Sequence, residues 1–149
     1  MRNNSLIDRN LAENAYLCSK CGGKCCKTDS CFYMPEDFSE MSLTYLLEEF
    51  LKKDYLCIYL DTTNWFGVIR VRSKGWPRLV FSDKFEDKPC MLLTDSGCSL
   101  SYEKRPTGGK ALIPSFSLKC KSMLEAEDIL YAWLPYQKLL IELVKRLYF

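Results

Sequence analysis

The 149-residue chain contains no histidine. That absence removes the side chain most used for proton transfer near neutral pH, and with it every zinc site that needs an imidazole ligand. An excess of charge is missing too. Lysines and arginines number 21 against 19 aspartates and glutamates, and the formal net charge of +2 is too even to indicate a nucleic-acid groove or an anionic membrane surface. Long hydrophobic runs are absent as well: Pro135, Gln137, Lys138 and Glu142 interrupt the most apolar region, and nothing approaches the roughly 18 consecutive apolar residues of a membrane span. MRNNSLIDRNLAENAYL at the start has no apolar secretory core and no small-residue cleavage site, so the expectation is a cytoplasmic protein with reduced thiols and no membrane. There is no internal repeat, and the length with 48% hydrophobic residues suits one domain over 1–149.

What the chain has in excess is cysteine, nine residues in all. Five of them, Cys18, Cys21, Cys25, Cys26 and Cys31, crowd into CSKCGGKCCKTDSC, and Cys90, Cys98 and Cys120 follow in irregular sequence. An odd count fits complete disulfide pairing poorly. The CxxC pair Cys18 and Cys21 lets two thiolates of one turn face one ion, and Gly22 and Gly23 give the backbone freedom a ligand-bearing turn needs. Adjacent Cys25 and Cys26 point in different directions, so one ligates while the other serves a second metal, bridges two metals or faces the core. Soft thiolates without histidine favour zinc, and after it an iron–sulfur cluster, over hard cations. Setting aside Cys57, which sits in the apolar run LCIYL as a small hydrophobe, eight thiols allow up to two four-cysteine centres. A four-thiolate zinc site carries excess negative charge, which Lys20, Lys24, Lys27, Arg105, Lys119 and Lys121 are placed in sequence to offset.

Around the cysteines the pattern predicts an α+β fold: a small antiparallel sheet, a few helices, long metal-pinned loops and a kinked C-terminal helix. Apolar spacing within residues 1–17 permits a short helix, and Pro35, Glu36 and Asp37 open a helical turn. Ser42 caps LTYLLEEFLKK, whose Leu43, Leu46, Leu47, Phe50 and Leu51 share one helical face. YLCIYLDTT and WFGVIRVRS read as two strands joined around Thr62 to Asn64, with a third at Arg78 to Phe81 after Gly75, Trp76 and Pro77. The sheet is expected to pack helices on one side and cover the metal region on the other. Ser82 to Cys120 is irregular apart from a helical turn near Ser99 to Lys104, and so long a loop needs pins, which Cys90, Cys98 and Cys120 provide. Ser122 is positioned to cap a last helix with an apolar face of Leu130, Trp133, Leu134, Gln137, Leu140, Ile141, Val144 and Tyr148, kinked or divided at Pro135.

CSKCGGKCCK from Cys18 to Lys27, the proline and aspartate of MPEDF, and CMLLTDSGCSLSYEKRP from Cys90 to Pro106 together resemble the YkgJ-type cysteine-cluster proteins, the CxxCxxCC family of zinc- or iron-chelating proteins. The resemblance covers about residues 18–120. It implies metal chelation by Cys18, Cys21, Cys25, Cys26, Cys90 and Cys98, with Arg105 near the site. The chain departs from the family pattern at RPTGGK, where Gly109 stands in place of a further cysteine, and Cys31 or Cys120 is available as its replacement.

Three functions are compatible with these residues. The first is a metal-binding protein holding zinc, or an iron–sulfur centre, through the split cluster. The second is a metal-dependent or redox enzyme that uses an open metal position or a spare thiol near Arg105. The third is an RNA- or protein-interaction domain using Arg70, Arg72, Lys74 and Arg78 interleaved with Trp65 and Trp76, although a solvated strand face is the commoner meaning of such a patch.

Overall fold

A computed structural model describes residues 32–86, 88–94, 97–100, 104–110, 112–113, 121–122 and 126–148. The proposed helix within 1–17 and the cysteine turn up to Cys31 lie outside them, as do Cys120 and residues 101–103 of the turn near Ser99 to Lys104.

The described chain starts with a 3₁₀ turn at Pro35–Asp37, as its proline and acidic residues predict. Helix α1 covers Leu43–Lys52, with the Ser42 hydroxyl accepting from the Tyr45 N–H at 3.2 Å. Leu46 and Phe50 are its buried residues, whereas Leu51, expected on the same face, is 74% exposed. Strands β1 (Leu56–Asp61) and β2 (Phe66–Val71) form an antiparallel pair in the register Leu56 to Val71 through Asp61 to Phe66. Asp61 accepts from the Thr63 N–H and the Asn64 amide to shape their turn.

Strand β3 (Leu79–Phe81) corrects the expected all-antiparallel sheet, because it runs parallel to β1 and the order is β2-β1-β3. A third strand returning as a hairpin would occupy the outer edge of β2. Other segments already hold that edge. The Tyr33 N–H donates to the Ile69 carbonyl at 2.9 Å, the Met91 N–H donates to the Arg72 carbonyl at 2.9 Å, and the Gln137 amide takes both backbone groups of Gly67. The chain instead turns at Ser73 to Pro77, with Gly75 at φ 85° and the Arg72 Nε donating to the Trp76 carbonyl, and crosses to the far side of β1.

Leu56, Ile58, Ile69 and Val71 pack on one face of the sheet with Leu46 and Phe50 of α1 and with Trp133, Leu140 and Leu143 of the C-terminal segment. Alternation puts Cys57, Tyr59 and Arg70 on the other face, where Cys57 packs with Trp76 and Val80. The fold is α+β. Short pairs β4 (Leu93–Thr94) with β5 (Gly97–Cys98), and β6 (Leu112–Ile113) with β7 (Lys121–Ser122), flank helix α2 (Thr107–Lys110). Ser122 is thus a strand residue opposite Leu112, not a helix cap.

The C-terminal segment divides at Pro135 as predicted: α3 spans Ala126–Trp133, a 3₁₀ turn Leu134–Tyr136, and α4 Gln137–Tyr148. Its buried side differs from the expected face. Trp133 and Leu140 are buried, but Leu130, Leu134, Ile141 and Tyr148 are exposed and Leu143 takes an inner place. The tighter advance of the 3₁₀ turn shifts the helical phase, so one straight stripe cannot continue across the proline. Among the described residues no helix is long and apolar enough to cross a membrane.

Candidate functional site

Two stretches that are far apart in sequence meet at the outer edge of β2 and its continuation. Phe32, bonded directly to Cys31, forms an antiparallel bridge with Arg70. Cys90 forms another with Ser73. The two contacts are three residue steps apart, about 10 Å along the chain. Phe32 and Cys90 are thus attached along one edge of the sheet.

Cys90 is 3% exposed and opens a hairpin. Its carbonyl accepts from the Leu93 N–H, the Leu92 carbonyl accepts from the Ser99 N–H, and Cys98 pairs with Leu93 in the β4–β5 ladder. Cys90 and Cys98 are therefore connected through the backbone of Leu92 and Leu93. Cys18, Cys21, Cys25, Cys26, Cys31 and Cys120 lie outside the described residues. Among the described residues no three cysteine, aspartate or glutamate side chains form a metal-ligand group. The donor chemistry of the sequence fits a soft metal, since thiolates are its only abundant soft ligands and histidine is absent.

The segment Arg105 to Gly108 closes the arrangement. Asp37 accepts from the Met34 and Thr107 N–H groups at 2.8 Å each, and the Thr107 hydroxyl donates to its other oxygen. The Gly108 N–H donates to the Phe32 carbonyl at 3.0 Å. A Cβ on Gly108 would stand 2.5 Å from that carbonyl oxygen, so only glycine allows the two backbones to meet there. The MPEDF aspartate and the RPTG segment thus touch, and Gly108 clamps Phe32, the residue that follows Cys31 in sequence.

Arg105 donates from Nε to the Leu100 carbonyl at 3.2 Å and, with Leu100 and Lys104, lines a cleft of about 560 Å³ against the 33–38 segment and α1. On its wall Lys53 and Glu49 form an ion pair at 2.6 Å. The hydrogen bond from Lys53 holds the Glu49 carboxyl below the ordinary carboxylate range, with a smaller contribution from Tyr45. Burial, with the charge of Asp37, pushes the Glu36 carboxyl above that range.

Cys57 stands apart from this edge. It is fully buried in β1, and desolvation pushes its thiol up to about 12. The basic strand face read as solvent-facing is different in the structure. Arg70 is 2% exposed and lies 4.8 Å, 4.3 Å and 5.0 Å from the ring centres of Phe32, Tyr59 and Trp76. Arg72 donates to the Asp54 and Trp76 carbonyls, and Arg78 donates to the Lys53 carbonyl. Sequence alternation identified the arginines but not their aromatic cage, because Phe32 and Trp76 reach Arg70 from outside the strand.

Comparison with known proteins finds no matching family model, no matching characterised sequence and no matching solved structure. The resemblance therefore stands on its own cysteine, MPEDF and GCxxxYEKRP motifs.

Proposed function

We propose that the protein is a cytoplasmic metal-binding protein of the YkgJ-type cysteine-cluster family, holding zinc, or alternatively an iron–sulfur centre, through Cys18, Cys21, Cys25, Cys26, Cys31, Cys90, Cys98 and Cys120. The observation that supports this reading is the attachment of Phe32 and Cys90 to one strand edge, with Gly108 against Phe32. A reducing compartment suits so many thiols. Arg105 is assigned a place near the metal, offsetting thiolate charge.

The test is elemental analysis and a visible spectrum of protein purified without oxygen. Near-stoichiometric zinc in a colourless protein supports zinc, and a brown protein with visible charge-transfer absorption supports iron–sulfur. Cys90→Ser and Cys98→Ser are expected to lose metal while Cys57→Ser keeps it. A metal-free protein that remains folded with unreactive thiols overturns the proposal.

An enzymatic reading is favoured by one observation, the cleft at Arg105, which gives a substrate somewhere to sit. It requires an exchangeable metal position. A metal closed by four cysteines on every side counts against it.

A further inference from the structure

We infer that the cleft lined by the 33–38 segment, α1, Leu100, Lys104 and Arg105 binds a small aromatic anion, with a carboxylate or phosphate as its charged group. Its volume of about 560 Å³ is within the usual range for small-molecule sites, about 300–1,000 Å³. Tyr33, Phe38, Tyr45 and Tyr55 supply the aromatic wall, and the rings of Tyr33 and Phe38 lie 5.4 Å apart. A flat apolar group has surface to stack on there.

The sign of the ligand charge follows from what the wall already pairs. Lys53 is taken by Glu49 at 2.6 Å. Asp37 is taken by the Met34 and Thr107 backbone donors and by the Thr107 hydroxyl. Among the described lining residues, what is left is Lys104 and Arg105 against Glu36. Arg105 spends Nε on the Leu100 carbonyl, and its terminal nitrogens have no hydrogen-bond partner among the described residues. A guanidinium anchored at one nitrogen, with terminal donors that meet no other described residue, is suited to a carboxylate or phosphate.

The inference does not rest on bound metal, and the titration is run on the full chain as purified, with metal content measured on the same sample. Phenyl phosphate and benzoate carry the two charged groups on one ring, benzyl alcohol has the ring without the charge, and inorganic phosphate has the charge without the ring. Backbone amide shifts of Tyr45, Tyr55 and Arg105 are followed by NMR. The better aromatic anion is expected to saturate these shifts about tenfold more tightly than benzyl alcohol or inorganic phosphate, and it identifies the charged group. Arg105→Ala should weaken it about tenfold, and Glu36→Gln should tighten it about two- to fivefold, a gain that damage to the fold cannot produce. Equal binding of benzyl alcohol or of inorganic phosphate overturns the inference. So does an unchanged Arg105→Ala with no gain in Glu36→Gln, or the absence of saturable shifts with both aromatic anions.

Discussion

Asp37 and Thr107 are joined twice, once through the Thr107 N–H at 2.8 Å and once through its hydroxyl, across seventy residues of chain. Thr107 is 1% exposed, so neither donor has water to fall back on. Asp37→Ala should therefore cost about 3 kcal/mol in urea unfolding, because it removes two bonds to buried Thr107 and one to the Met34 N–H together. Thr107→Val, which keeps the N–H bond and the side-chain shape, should cost less. A double-mutant cycle with a coupling energy near zero would show that the pair does not act as a unit.

Gln137 is a glutamine on an otherwise apolar helical face, and its role is to finish the sheet. Its Oε1 accepts from the Gly67 N–H at 2.8 Å while its Nε2 donates to the Gly67 carbonyl at 2.9 Å, as a neighbouring strand would. Gln137→Leu should cost about 2–3 kcal/mol by leaving both groups without partners. Gln137→Glu keeps an acceptor for the N–H, so it should lose less than Gln137→Leu near neutral pH. Equal losses for the two variants would mean that helix packing, and not the backbone pairing, is what Gln137 contributes.

Much of this architecture was legible where local signals decide it. Ser42 and the apolar spacing set α1, the β-branched runs set β1 and β2, and Pro135 divides the last helix. What escaped depends on distant partners. The direction of β3 follows from occupation of the β2 edge by Tyr33, Met91 and Gln137, none of which is near β2 in sequence. Helix α2 contains Gly108 and Gly109, which argue against a helix locally. It is held by Asp37 and Phe32, and the cage around Arg70 is assembled from separate segments in the same way.

Gly108→Ala tests the clamp next to Cys31. The added methyl must displace the Phe32 backbone, which sits 2.5 Å away and is held by β2 on its other side. Overpacking of this kind costs about 1–3 kcal/mol, and it falls on Phe32, the residue that follows Cys31 in sequence. The expected result is a lower melting temperature together with weaker metal retention against a chelator. A variant as stable and as retentive as the parent would remove this contact from the account of the site.

Glu49 provides a pH dependence with a definite sign. Its carboxyl is held below the ordinary value of 4.5 by Lys53, so the pair stabilises the fold above that pH and the contribution is lost as acidification protonates Glu49. Lys53 is substantially solvated, so the contribution should stay under about 1 kcal/mol and shrink in salt. Glu49→Gln should be less stable than the parent near neutral pH, and the difference should close below pH 4.5. A difference that is flat across this range would show that the pair contributes no charge-dependent stability.

Cys57 separates a buried thiol from candidate ligands. Burial pushes it up from 9.0 to about 12, so the native protein holds it as a neutral thiol between Trp76 and Val80, out of reach of alkylating reagents. The unfolded chain ionises it near the ordinary value, so this contribution to stability is complete below pH 9.0 and falls as pH rises toward about 12. Native protein treated with iodoacetamide at pH 8 should show no modification of Cys57 by mass spectrometry, before or after a chelator has been added. A true metal ligand should instead be protected only until the chelator takes the metal. Labelling of Cys57 that switches on with chelation would place it among the ligands and overturn its assignment as core.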